Sequence, residues 1–128
     1  MAKSKLEILW LEDSEPHNFP AALAYLSLIY PAKTARKLMA QLQAATLAEF
    51  KAKDIFRASG LSLLGVSNSH VAVDQKKIEN GEQLSPLLLV RDPAHGKVII
   101  ADGYHRLCAV YSFDEDALIR CRIADGES

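Results

Sequence analysis

Val98-Ile99-Ile100-Ala101-Asp102-Gly103-Tyr104-His105-Arg106-Leu107-Cys108-Ala109-Val110-Tyr111 is the stretch on which the reading of the whole chain turns. Val98 to Ala101 is an apolar run with β-branched residues, which suits a buried strand. The run breaks at Asp102-Gly103. Tyr104, Leu107, Cys108 and Tyr111 then recur at i, i+3, i+4 and i+7, the spacing of one helix face. A strand, a tight turn and a helix are expected. Asp102 is placed to cap that helix, and Gly103 permits an unusual backbone angle or the close approach of a ligand. The first turn of such a helix has unpaired backbone N–H groups at the positive end of the macrodipole. His105 and Arg106 fall in the same turn, off the apolar stripe. Free amides, a glycine, an imidazole and a guanidinium in one place make a candidate phosphate site. The plainer alternative stays open: Asp-Gly is a common turn, and a His-Arg pair near a helix start also serves as a solvated face. The phosphate reading falls if Arg106 is held in a closed ion pair with no open cavity over Gly103.

Outward from this stretch, the upstream Leu87-Leu88-Leu89-Val90 is a continuous apolar run introduced by Ser85-Pro86, as expected of a central strand. The turn-rich link Asp92 to Lys97 folds it back onto Val98–Ala101 as a hairpin. Downstream, Asp114-Glu115-Asp116 reads as a solvated acidic loop. A last strand from Leu118 to Ala124 alternates, with Ile119, Cys121 and Ile123 on one side and Arg120 and Arg122 on the other.

The N-terminal part reads as a short strand, Leu6 to Leu11, followed by three helices. Asn18 caps the first, which runs to about Tyr30 before Pro31. The second, Ala32 to Ala45, buries Leu38, Met39 and Leu42. Thr46-Leu47-Ala48-Glu49 matches a capping box for a third helix, which ends at Ser59-Gly60. Leu61 to Leu64 reads as a strand or an extended connection, and Gly65 to His70 as a loop. A short helix follows from Val71 to Asn80, with Gly81 as its terminator.

At 128 residues, 49% apolar and 24% charged, the chain is expected to form one domain with a real core. The expected class is α+β: a small mixed sheet core over residues 61–128, preceded by a strand and helical segment over 1–60. The net charge of −1 gives no global field for nucleic acid or acidic lipid. Lys33, Arg36, Lys37, Lys51, Lys53 and Arg57 against Glu49 and Asp54 nevertheless leave residues 31–60 at a local +4. This region reads mainly as solvated helix face, and otherwise as a contact surface for protein or nucleic acid over the basic helices 32–59. Cys108 and Cys121 lack metal-type spacing and read as small buried hydrophobes. The apolar run at 6–11 is too short for a signal sequence, and no run approaches membrane-spanning length. A cytoplasmic protein without a membrane partner is expected.

The order of elements and the pentapeptide Asp102-Gly103-Tyr104-His105-Arg106, with Ala109 three positions beyond the arginine, resemble the ParB/sulfiredoxin superfamily over about Ser67 to Ala124. The resemblance implies a small α+β domain that binds nucleotide phosphates at the start of this helix. ATP or another nucleotide, with Mg²⁺, would be the cofactor. Gly103 would admit the phosphate to the backbone, Tyr104 would belong to the same binding turn, and His105 and Arg106 would contact phosphate oxygens. Ser67 to His70 and the helix after it would form a second nucleotide-contacting segment. Sulfiredoxins carry a catalytic cysteine before the His-Arg pair, where this chain has Tyr104. Partition proteins show Glu-Arg-Arg and a DNA-binding helical domain after the last strand, for which no room is expected before Ser128. The free-serine kinases use Asp-Gly-His-His-Arg, matched here at four of five positions. The resemblance thus implies a phosphotransferase or nucleotide hydrolase. Arg106 would stabilise charge in the transferred group, His105 would donate a hydrogen bond, and Asp102 would assist a metal or an acceptor hydroxyl. A non-catalytic regulatory or binding module on the same fold is the alternative.

Overall fold

A computed structural model describes residues 7–63 and 68–126. Leu64, the first half of the 65–70 loop and Leu6 therefore lie outside the described residues. The elements in chain order are α1 (Asn18–Ile29), α2 (Ala32–Ala44), β1 (Ala48–Lys51), α3 (Ala52–Ser59), α4 (Ser69–Glu79), β2 (Leu87–Asp92), β3 (Lys97–Asp102), α5 (Tyr104–Phe113) and β4 (Leu118–Asp125). The four strands form one mixed sheet in the order β1-β4-β2-β3. Only the β2–β4 pair is parallel; β1–β4 and the β2–β3 hairpin are antiparallel. This is an α+β fold.

The unbroken apolar run of β2 is explained by helices on both sheet faces. Because side chains alternate along a strand, Leu87 and Leu89 join Ile100, Ile119, Cys121 and the buried residues of α3, α4 and α5. Leu88 and Val90 point the other way, joining Ile99, Ala101, Ala124 and the inner faces of α1 and α2. Residues 7–60 are therefore part of the core, supplying an edge strand, the α1–α2 layer on one face and α3 on the other. Each fully buried leucine contributes about 1.5–3 kcal/mol of transfer free energy. Leu26, Leu38 and Leu42 anchor one layer in this way, and Leu87, Leu89 and Leu107 the other.

Several expectations fail in this N-terminal half, each for a physical reason. The strand expected at 6–11 reduces to a single parallel bridge, Trp10 to Leu84. Leu11 N–H donates to Leu84 C=O at 2.9 Å and Leu84 N–H to Leu9 C=O at 2.8 Å. The ladder cannot continue past them, because Pro86 has no N–H to donate. Asn18 does not cap α1. It is the first helical residue and buried, and its Oδ1 accepts from the Ser85 hydroxyl, which itself accepts from Glu15 N–H at 3.0 Å. Met39 is only half-buried on α2.

The capping box at Thr46–Glu49 is overturned outright, since Ala48–Lys51 is strand β1, paired from Ala48↔Cys121 to Lys51↔Leu118. Locally favourable helix capping loses to the unpaired edge of β4, whose backbone groups need partners. Helix α3 begins only at Ala52. Its first amides are satisfied by the loop after α5, Ala52 N–H by Ala117 C=O and Lys53 N–H by Glu115 C=O, both at 2.9 Å. Gly60, at φ 69°, ends α3 as expected.

Candidate phosphate pocket

Strand β3 delivers the chain to Asp102 and helix α5 leaves from Tyr104, so Gly103 alone makes the turn, at φ 107°. Gly103 rather than Asp102 occupies the cap position, and no side chain caps α5. This corrects the expected role of Asp102. Its carboxylate instead accepts from Arg106 Nη2 at 3.0 Å, one helical turn along, with both side chains mostly buried. The first intrahelical bond of α5 runs from Leu107 N–H to Gly103 C=O at 2.9 Å. The amides of residues 104 to 106 therefore have no intrahelical acceptor.

The expected close approach at Gly103 is made by the protein itself. A Cβ there would lie 2.6 Å from Leu87 Cγ and 2.9 Å from Arg106 Nη2. Leu87 thus fills the side of the turn that faces the core. The opposite side is open: a pocket of about 310 Å³ is bounded by Asp102, Gly103, His105 and Arg106 of the β3–α5 turn and by His70, Asp74 and Lys77 of α4. The arrangement that would rule the reading out, a closed ion pair without a cavity, is only half present. Arg106 is ion-paired, yet the cavity over Gly103 exists.

Helix α4 contributes side chains and not amides. Its N-cap Asn68 accepts from His70 N–H at 3.0 Å and Val71 N–H at 3.2 Å, so these donors are already used. His70 reaches across to His105, with ring centroids 4.9 Å apart. The pocket therefore holds two imidazoles, one guanidinium and one ammonium against two carboxylates. Asp74 is half-buried, and burial raises its pKa above the ordinary carboxylate value, opposed by the charges of Arg106, Lys77, His105 and His70. Arg106 Nε is buried without a hydrogen-bond partner. A buried, unpaired N–H of this kind costs free energy unless an acceptor reaches it.

Of the residues the sequence singled out, Asp102, Gly103, His105 and Arg106 meet at this pocket. Tyr104 does not line it: the ring lies beside His105 at 5.8 Å and the hydroxyl donates to Ser62 C=O. The sequence reading did not name Asp74 or Lys77, and His70 entered it only through the resemblance, as part of the second nucleotide-contacting segment. Their signal was available. His70, Asp74 and Lys77 fall at i, i+4 and i+7, one polar stripe of a helix that begins two residues earlier than expected.

Neither cysteine takes part. Both are fully buried, and burial pushes the Cys121 thiol up to about 11. The basic residues of 31–60 do not form one surface, since α2 packs on one sheet face and α3 on the other. Lys53 is paired with Asp116 at 2.7 Å and Arg57 with Asp54 at 3.9 Å. Among the described residues no group of three or more His, Cys, Asp or Glu side chains is arranged to hold a metal ion, and no helix is long and apolar enough to cross a membrane. No family model, curated protein or solved structure matches the chain.

The raised pKa of Asp74 has a consequence for stability. A carboxyl whose folded pKa lies above its unfolded value favours the fold while protonated, and that contribution is lost as pH rises through the folded pKa. Ionised Asp74 therefore costs stability near neutral pH when no ligand is present. Asp74→Asn is expected to melt at a higher temperature than the parent near neutral pH. That advantage should disappear below 3.8, the ordinary value for the group, where both forms are uncharged. Thermal unfolding of the two proteins across this range checks both the sign and the window.

Proposed function

We propose that this pocket binds a phosphate group of a nucleotide, and that the chain is a ParB/sulfiredoxin-like nucleotide-binding protein. The observation that carries the reading is the meeting of His70 and His105 over the uncapped start of α5. Two imidazoles from helices distant in sequence stand beside free amides, Lys77 and Arg106. The order α4, β2, β3, α5, β4 supports the resemblance, since it runs helix, hairpin, helix and final strand as that superfamily does. In this reading phosphate oxygens accept from the amides at 104–106, from His105 and from the Arg106 guanidinium, whose Nε lacks another partner.

Asp74 and Asp102 decide how the site tolerates an anion. Protonated Asp74 does not repel phosphate, and ionised Asp74 offers an oxygen to a cation. The donor set suits Mg²⁺, which is held by one or two carboxylates together with substrate phosphates and water. Bound there, the ion would neutralise phosphate charge. Asp74 is also the only carboxylate at the pocket not engaged by Arg106, and so the best-placed proton acceptor if the protein turns its nucleotide over. The engagement of Asp102 by Arg106 favours the second reading, a nucleotide-binding module without turnover.

Melting temperatures with ATP, ADP and CTP, each with and without Mg²⁺, test the proposal. A ligand of the native state present at 100 times its dissociation constant stabilises it by about 2.7 kcal/mol. A rise with at least one nucleotide is expected, and none with any of them contradicts the proposal. Product formation in the same samples separates enzyme from module.

A further inference from the structure

We infer that the base of the bound nucleotide lies in a second cleft, on the far side of His105 from the phosphate pocket, stacked against Tyr25. This rests on the nucleotide reading above and gives the rest of the molecule its place.

Polyphosphate and base ask for different surroundings. The phosphate pocket suits the first: apart from Gly103 and Val73, every residue that bounds it is ionisable. A base has flat, uncharged faces, and it is held by stacking on an aromatic ring and by apolar contact. A cleft of about 460 Å³ with that character opens from the same turn. Asp102, Gly103 and His105 border both hollows, so the two meet at the start of α5. The His105 ring stands between them, its centroid 4.9 Å from that of His70 on the phosphate side and 5.8 Å from that of Tyr104 on the other.

The topology makes this cleft. Strand β3 is an edge of the sheet, and α1 packs on one face beside it while α3 packs on the other. Ile100 and Ala101 form a buried floor, flanked by Ala21 and Tyr25 of α1 and by Leu61, just past the end of α3. Ala21 and Tyr25 lie one helical turn apart, so the small side chain leaves free the space beside the ring. Tyr25 is 43% and Leu61 45% exposed: the two walls border the cleft without closing it. The Tyr104 hydroxyl donates to Ser62 C=O, which ties the Leu61 wall to the first residue of α5. A ring inserted between Tyr25 and Leu61 covers both, while its phosphates reach past His105 to the amides of α5. Ala21, Tyr25 and Leu61 all precede the stretch that resembles the ParB/sulfiredoxin superfamily, so the cleft depends on the N-terminal part of this chain.

Calorimetric titration of the full chain with ATP and with inorganic tripolyphosphate, each with Mg²⁺, tests this. Both are expected to bind the parent. Tyr25→Ala removes the ring, and Ala21→Trp fills the cleft from an exposed helix position. Each is expected to weaken ATP about tenfold, as the loss of one base–aromatic stack does, and to leave tripolyphosphate unchanged. Tyr25→Phe keeps the ring and should bind both ligands as the parent does. Undiminished ATP binding in Tyr25→Ala and Ala21→Trp overturns the inference and leaves the phosphate reading standing. Equal losses for the two ligands also overturn it, because the substitutions would then act on the phosphate pocket. A parent that binds neither ligand removes the nucleotide reading, and the inference with it.

Discussion

Gly103→Ala is expected to be strongly destabilising, costing about 2–5 kcal/mol and lowering the melting temperature by roughly 10 °C. Two independent penalties add. At φ 107° a residue with a Cβ is strained, by about 1–2 kcal/mol. The added methyl would also stand 2.6 Å from Leu87 Cγ, a fully buried side chain with nowhere to retreat, and 2.9 Å from Arg106 Nη2. Overpacking of that kind costs about 1–3 kcal/mol. Gly81→Ala is the internal control. That glycine also has positive φ, at 72°, but its Cβ would meet nothing within 4 Å, so only the backbone penalty applies. Chemical denaturation of the two variants should separate them by the packing cost. Equal destabilisation would mean that Leu87 and Arg106 do not close on the turn.

Arg106→Ala is expected to abolish the stabilisation by nucleotide. At a ligand concentration that shifts the parent by roughly 10 °C, each variant's shift is measured from its own ligand-free melting point. The reference matters, because removing Arg106 leaves the mostly buried Asp102 carboxylate without its partner. Exposed pairs contribute about 0–1 kcal/mol and breaking a buried pair costs about 3–5 kcal/mol, so a loss of about 2 kcal/mol is expected before any ligand is added. The double variant Asp102→Asn/Arg106→Gln replaces the ion pair by neutral amides of similar size and should regain part of that loss. It should still fail to respond to nucleotide. A variant that lacks Arg106 and responds like the parent would place the ligand elsewhere.

The C-terminal half of the fold was legible because its local signals agree with its tertiary setting. The apolar run of β2, the alternation of β4 and the helical spacing of α5 each describe an element the core requires. The N-terminal half was less legible, because its elements are fixed by distant partners. Residues 48–51 form a strand only because β4 lies beside them, and the bridge at Trp10 stops where Pro86 interrupts it. At the site, the sequence placed Asp102, Gly103, His105 and Arg106 together but misread Asp102 as the helix cap, a position that Gly103 holds while the carboxylate meets Arg106. His70 entered the site only through the resemblance, and Asp74 and Lys77 were not named, for a different reason. No local periodicity encodes the packing of α4 against α5, which alone brings the two imidazoles to 4.9 Å.

The most direct measurement is a nuclear magnetic resonance titration of the isotope-labelled protein with ATP and Mg²⁺. The account predicts that the backbone amides of Gly103 to Arg106 and the imidazole signals of His70 and His105 move together, saturating with a single dissociation constant. Resonances that stay fixed at those positions while nucleotide is in large excess, or that move only elsewhere in the chain, would contradict it.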